Sequence, residues 1–346
     1  MPPCMAGWKR PEWTECRWGV GGLDFDGAPG QYGGQMRAWL KKKYQDTEWG
    51  FRLLSGLVRA RDWFQGGWRP DRLHIEREFR KTFGYPLDWR NPRTLNEKLN
   101  WMKLHVRDPR QRIAADKVAV REHVKAKVGE KYLVPLLRKY DRAEDICFAD
   151  LPDAFVLKVN HGSGQNWIVK DKAREDERRV RRQFREWMAT NHYVRSREWP
   201  YKGMKAAIVA EELLTDEDGA IPSDYKFHCF GGRVEAIQVD VDRETKHRRN
   251  FYDVHWALQP FIWTEWEGDT PSWPNGKDVP RPAALPEMIR VAEQLSADFP
   301  YARIDLFYCR NRVYFGEITF YHGGALERFS PPEYDRLFGE KLALPL

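Results

Sequence analysis

Two carboxylates, Asp305 and Glu317, interrupt apolar, aromatic runs in "RIDLFYCRNRVYFGEITFYHGG", the segment from Arg303 to Gly324. Strand alternation puts Glu317 and Thr319 on one face. A carboxylate facing a core needs a cation or a hydrogen-bond partner to offset its lost hydration. A three-residue loop, Arg310 to Arg312, predicts that Asp305 and Glu317 fall directly opposite each other. Like charges so placed repel. A hard divalent cation between them reverses the sign, and magnesium is commonly held by one or two carboxylates together with substrate phosphates. The competing reading is an exposed hairpin with two solvated acids, against which stand the apolar neighbours Ile304, Leu306, Phe315 and Ile318.

A second constellation is "FVLKVNHGSGQNWIVKDK", where Lys158 interrupts an apolar strand ahead of the turn Gly162-Ser163-Gly164. Glycines let backbone N–H groups approach an anion, and the nearby lysine adds a full charge. That suits a polyphosphate, although GxxxxGK[ST] is absent and a strand, not a helix, follows. A plain hairpin with Lys158 reaching from the sheet edge to water is the alternative. "AEELLTDED" offers Glu211 and Glu212 at a strand end, a weak signal alone, since exposed glutamates are common there. "DVDRETKHRRN" clusters Arg243, Lys246, Arg248 and Arg249, either a clamp for phosphate or carboxylate or a solvated loop.

The elements that must position these groups read as α+β. In "NPRTLNEKLNWMKL" Thr94 and Glu97 form a capping box. "DPRQRIAADKVAVREHVKAKVG" reads as one helix with Asp108 as cap, Pro109 in its first turn and Gly129 at its stop. Strands are expected at 155–159, 167–170, 206–213, 225–230 and 233–241, with Gly231-Gly232 turning the last two into a hairpin. Residues 171–200 read as a charged helical segment with a solvated face. Residues 1–34 lack periodicity, and 35–65 read as a basic amphipathic helix that either packs on the protein or lies on an anionic membrane.

With 346 residues the chain is long enough for one large domain or two to three smaller ones. Lys and Arg outnumber Asp and Glu by 58 to 51, and the net charge of +7 favours anionic partners without naming one. Five scattered cysteines with no CxxC pair point to neither a disulfide framework nor a zinc site. No window approaches the roughly 18 apolar residues of a membrane-spanning helix, and residues 1–10 lack a secretory signal's apolar core, so a cytoplasmic protein is expected.

Taken in order, "RTLNEKLNWMK", "LPDAFVLKVNHGSG", "DYKFHCFGG" and "YFGEITFYHGG" resemble the TupA-like ATP-grasp family, which is associated with bacterial surface polymers such as teichuronopeptide. The resemblance covers roughly residues 70–346. It implies an extension over 1–70, a helical lead-in over 71–115, and two ATP-clasping α/β subdomains over 116–212 and 213–346. By the same resemblance Lys117 and Lys158 contact the nucleotide, while His161, Gly162, Ser163 and Gly164 close over its phosphates. Glu211 and the Leu214 backbone face adenine, with Glu212 nearby, and Lys226 is a phosphate or substrate contact. Asp305, Glu317 and Thr319 hold magnesium. Thr319 stands where such enzymes often carry Asn, which weakens a second metal site. Arg303, Arg243 and the Gly323 N–H stabilise charge on the transferring group.

The activity implied is ATP-dependent joining of a carboxylate to an amine through an acylphosphate. A kinase or transferase acting on a glycan precursor would use the same fold. A non-catalytic basic protein that binds nucleic acid or a membrane is the reading from another class. The expected partners are small-molecule or polymer-precursor acids and amines rather than nucleic acid, with membrane contact confined to 35–65.

Overall fold

Among the described residues, runs of β-branched and aromatic residues build two larger antiparallel sheets, packed against helices, and two two-stranded ribbons. The computed structural model describes Gly56 and residues 68–190, 192–241 and 246–345. The extension over 1–34, the basic helix over 35–65 and Arg243 lie outside the described residues.

The helical lead-in comprises α1 (Asp71–Phe83), α2 (Leu95–His105), α3 (Pro109–Ala115) and α4 (Val120–Lys127). The Thr94/Glu97 capping box opens α2, and Asp108 caps α3 with Pro109 in its first turn. The single helix expected over 108–128 breaks at Asp116. The Asp116 carboxylate takes the Val118 N–H at 2.8 Å and the Asn160 amide at 3.0 Å, so local side-chain bonds replace helical ones. The break lets Lys117 leave the helix surface, and its ammonium donates to Gly162 O at 2.9 Å.

The first sheet contains β1 (Leu136–Tyr140), β2 (Phe155–Val159), β3 (Asn166–Val169) and β4 (Ile208–Glu212), in the order β1-β4-β2-β3. The charged segment over 171–200 is not one helix. It forms α5 (Glu177–Ala189), α6 (His192–Ser196) and a 3₁₀ turn, Trp199–Tyr201. Val180 and Phe184 of α5 pack on Phe155, Leu157, Val169, Ile208 and Ala210 of the sheet.

The chain continues through β5 (Asp224–Phe230), β6 (Arg233–Val241), β7 (Arg248–Tyr252) and β8 (Ile262–Thr264). After the small ribbon of β9 (Trp266–Glu267) and β10 (Thr270–Pro271) come α7 (Leu285–Ser296), β11 (Tyr301–Cys309), β12 (Arg312–Thr319), β13 (Arg328–Ser330) and α8 (Glu333–Lys341). The second sheet has the order β12-β11-β5-β6-β7. Met288, Val291, Ala292 and Leu295 of α7 are buried in the core that Phe227, Ile237 and Ile304 share. Among the described residues no helix is long and apolar enough to cross a membrane.

α8 docks on the start of α2 through a glycine. A Cβ on Gly339 would lie 2.1 Å from Arg93 O and 2.7 Å from Thr94 C, both backbone atoms that cannot step aside. Gly339→Ala should therefore cost about 3 kcal/mol, read as a lower urea midpoint at unchanged slope.

Candidate active site

The hairpin β11–β12 sets the acidic pair. Its loop is two residues, Arg310 and Asn311, because Cys309 pairs with Arg312. Both loop residues have positive φ, 48° and 59°, the hand that matches strand twist in a tight hairpin. The expected three-residue loop is thus corrected. Asp305 nonetheless lies opposite Glu317, because Gly316 is an extra residue that shifts the register between Asp305 and Leu306. A Cβ at Gly316 would sit 3.0 Å from Asp305 O, so a side chain there would press on the backbone of the acid it aligns.

The two acids are neutralised within the protein. Arg303 shares their face of β11 and grips Asp305 bidentately, Nε to Oδ1 and Nη2 to Oδ2, both at 2.7 Å. The same Nη2 reaches Glu317 Oε1 at 3.0 Å and Thr319 Oγ1 at 3.2 Å. Glu317 Oε2 lies 3.5 Å from Lys117 Nζ. Asp305 is 4% exposed, and burial raises its pKa against the pull of Arg303 and Lys226. For Glu317 burial pushes the same way, but Lys117 and Arg303 outweigh it and hold the carboxyl low. Its side chain is 29% exposed, against 6% for that of Asp305.

Behind this pair runs a buried chain of charges that the sequence did not reveal. Arg303 Nη1 lies 2.8 Å from His322 Nδ1. A guanidinium only donates, so Nδ1 accepts and the ring proton is assigned to Nε2, which lies 2.9 Å from Glu327 Oε2. Burial lowers the His322 pKa to about 4, in keeping with a neutral ring. Glu327 also binds Arg249 at 2.7 Å, and Arg249 lies 3.3 Å from Asp240. Lys226, directly across from Asp305 on β5, is occupied by Asp224 and Asp240. The expectation that Lys226 contacts phosphate therefore meets an ammonium already held by two carboxylates. Arg249 and Lys226 do lie in the basic and "DYK" segments, but their partners are remote in sequence, and no local pattern marks them.

On the first sheet, Glu211 accepts from Lys158 Nζ and from Arg121 Nη1, each at 2.8 Å. Lys117, Arg121, Lys158, Glu211, Leu133 and Phe315 line one small cleft between the sheets. Arg121, on α4, is a further cation that sequence reasoning missed. Its helical position reads as one of many exposed basic residues, and only the fold turns it inward. Glu212 points to the opposite face of β4 and is exposed. Leu214 packs against Val134, Cys309 and Tyr314. The Gly162 turn is reached by Lys117, and Gly164 has φ of +70°, while Ser163 and Gly164 are exposed. His161 is buried, its ring nitrogens 3.0 Å from Thr190 O and 3.2 Å from Asn160 Oδ1, so it anchors the turn from inside.

The cleft thus gathers Lys117, Arg121 and Lys158, and Lys117 also donates to Gly162 O and stands 3.5 Å from Glu317. The TupA-like ATPgrasp family model matches residues 97–343. The chain belongs to the TupA-like ATP-grasp family. This TupA-like chain also aligns with solved structures. One is D-alanine–D-alanine ligase from Bacillus anthracis complexed with ATP, at 15% identity, over 60% of this chain and 54% of that one, with a TM-score of 0.33. Another is the ATP-grasp ligase PsnB complexed with minimal precursor, Mg and ADP, at 13% identity, over 65% and 58%, with a TM-score of 0.34. A third is the ADP complex of N5-carboxyaminoimidazole ribonucleotide synthetase, at 13% identity, over 64% and 49%, with a TM-score of 0.34. The chain thus spans about half the length of the solved ligases it matches. No curated protein matches it.

Asp305, Glu317 and Thr319 offer only oxygen donors, which is the chemistry a hard cation takes. Among the described residues no three or more His, Cys, Asp and Glu side chains form a metal cage. Two carboxylates completed by phosphate oxygens fit magnesium without one. Asp305 would enter such a site while gripped by Arg303, and Glu317 is the more exposed of the two.

Proposed function

We propose that this chain is an ATP- and magnesium-dependent ligase that joins a carboxylate to an amine, working in the cytoplasm on a bacterial surface polymer or peptide precursor. The observation that supports it best is the triad Arg303–Asp305–Glu317, linked through Lys117 to the glycine turn, in a member of this family.

In the first step a substrate carboxylate oxygen bonds to the γ-phosphorus of ATP while the bond to the β,γ-bridging oxygen breaks. This gives an acylphosphate and ADP. In the second, an amine nitrogen bonds to the acyl carbon, phosphate leaves with the C–O bonding pair, and the amine gives up a proton. Charge builds on phosphoryl oxygens throughout, so the chain's task is positioning and electrostatic stabilisation. Lys158 and Arg121 present two positive charges over Glu211. Lys117 couples the turn over the phosphates to the acidic pair. Asp305 and Glu317 would hold a magnesium ion, which when bound would supply charge neutralisation at the phosphates. Arg303 grips Asp305 bidentately and reaches Glu317 with the same Nη2, so it holds the two carboxylates side by side. No nucleophilic side chain is required.

Hydroxylamine tests the reaction class: an acylphosphate yields a hydroxamate, whereas phosphoryl transfer to a glycan hydroxyl does not. Screening carboxylates with Mg-ATP should give hydroxamate together with ADP; ADP formed only with a hydroxyl acceptor would replace the ligase with a kinase. Lys158→Met should weaken Mg-ATP binding by at least about tenfold in calorimetry, since a charge-assisted phosphate contact is lost while Arg121 still holds Glu211.

A further inference from the structure

Three side chains on one face of α2 converge on a backbone of unusual shape. Gly323, Gly324 and Ala325 follow one another with φ of 54°, 62° and 57°, a single left-handed turn just after β12. Such a turn is unfavourable for L-residues, and Ala325 is fully buried in it. A Cβ at Gly323 would lie 2.3 Å from Glu327 Cγ, so the turn folds tightly onto the glutamate side chain. Backbone bonds join the turn to its flanks, Gly324 N–H to Tyr321 O at 2.9 Å and Leu326 N–H to Gly323 O at 3.2 Å.

The carbonyls of this turn are held from outside. Lys103 Nζ donates to Gly324 O, Asn100 Nδ2 to Ala325 O at 2.8 Å, and Asn96 Nδ2 to Glu327 O at 3.0 Å. Asn96, Asn100 and Lys103 stand at i, i+4 and i+7, one stripe of α2. All three are buried, Lys103 at 3% exposure. Burial lowers the pKa of Lys103 to about 8, and among the described residues no carboxylate bonds its ammonium directly. A lysine desolvated to serve one carbonyl is a costly way to stabilise a fold. The segment it fixes carries His322 and Glu327, which meet Arg303 and Arg249.

We propose that α2 is a positioning element of the active site: Asn96, Asn100 and Lys103 hold the left-handed turn so that His322 and Glu327 set Arg303 against the acidic pair. The catalytic consequence rests on the ligase reading; the mechanical one does not. These are positioning residues, since they act through the turn.

The same helix supplies a control. Lys98 Nζ donates to Gly339 O at 2.7 Å and Leu342 O at 2.8 Å, an equal kind of bond made to α8 rather than to the turn. Lys103→Met, Asn100→Ala and Lys98→Met are compared in the full chain by amide hydrogen exchange and by ADP release from Mg-ATP. Lys103→Met should speed exchange at residues 323–327 about tenfold, with Asn100→Ala, the milder change, in the same direction and Lys98→Met without effect there. ADP release should fall about tenfold in kcat for Lys103→Met with the KM for Mg-ATP within about twofold. Equal exchange at 323–327 in Lys103→Met and Lys98→Met overturns the proposal, as does a kcat loss no greater than the control's. A wild-type chain that neither binds Mg-ATP nor releases ADP refutes the ligase reading alone, and the exchange comparison still decides whether α2 holds the turn.

Discussion

Glu317→Ala lowers ADP release from Mg-ATP by about three orders of magnitude and leaves the fold standing. The asymmetry follows from the contacts. Once Glu317 is gone, Arg303 keeps its bidentate grip on Asp305, and Lys117 keeps Gly162 O. No buried cation is stranded, so the stability change is about 1 kcal/mol or less. What disappears is the more exposed member of the acidic pair, 29% against 6% for the Asp305 side chain. Initial rates and a thermal melt on the same preparation separate the two effects. Undiminished turnover would remove Glu317 from the metal site.

Arg303→Met has the opposite profile, because it strands Asp305. That carboxylate is 4% exposed and takes both of its short charge-assisted bonds from Arg303. Deleting one partner of a buried pair costs about 3–5 kcal/mol, so the variant should unfold at much lower urea. Adding Asp305→Asn removes the stranded charge and should restore most of that loss while turnover stays abolished. A double variant no more stable than Arg303→Met would show that Arg303 stabilises through packing rather than through the ion pair.

The strands at 155–159 and 233–241 were legible to the residue, since each is a run of apolar or alternating positions bounded by turn residues. β1 was not. Its "LLRKY" has one buried position in five, Tyr140, and only Leu137 joins it against the core, so the hydropathy signal is weak. β7 was hidden for another reason: "RRNFY" opens on polar residues that are buried because Asp240 and Glu327 pair with Arg249. The opposition of Asp305 and Glu317 was anticipated, but through a loop one residue too long; the Gly316 bulge supplies the compensating residue. Counting along a sequence cannot place a bulge. The cations meant for those acids are assigned elsewhere in the sequence reading, because Arg303 reaches Glu317 through the pairing of β11 with β12, and Lys117 reaches it only once the helix breaks at Asp116.

A crystal structure with magnesium and a non-hydrolysable ATP analogue tests the central claim most directly. The account predicts a nucleotide between the Gly162–Gly164 turn and the second sheet, with oxygens of both Asp305 and Glu317 on the metal and Lys117 turned from Glu317 to phosphate. Acids that keep only Arg303 and Lys117 as partners, with the nucleotide bound away from them or not at all, would contradict it.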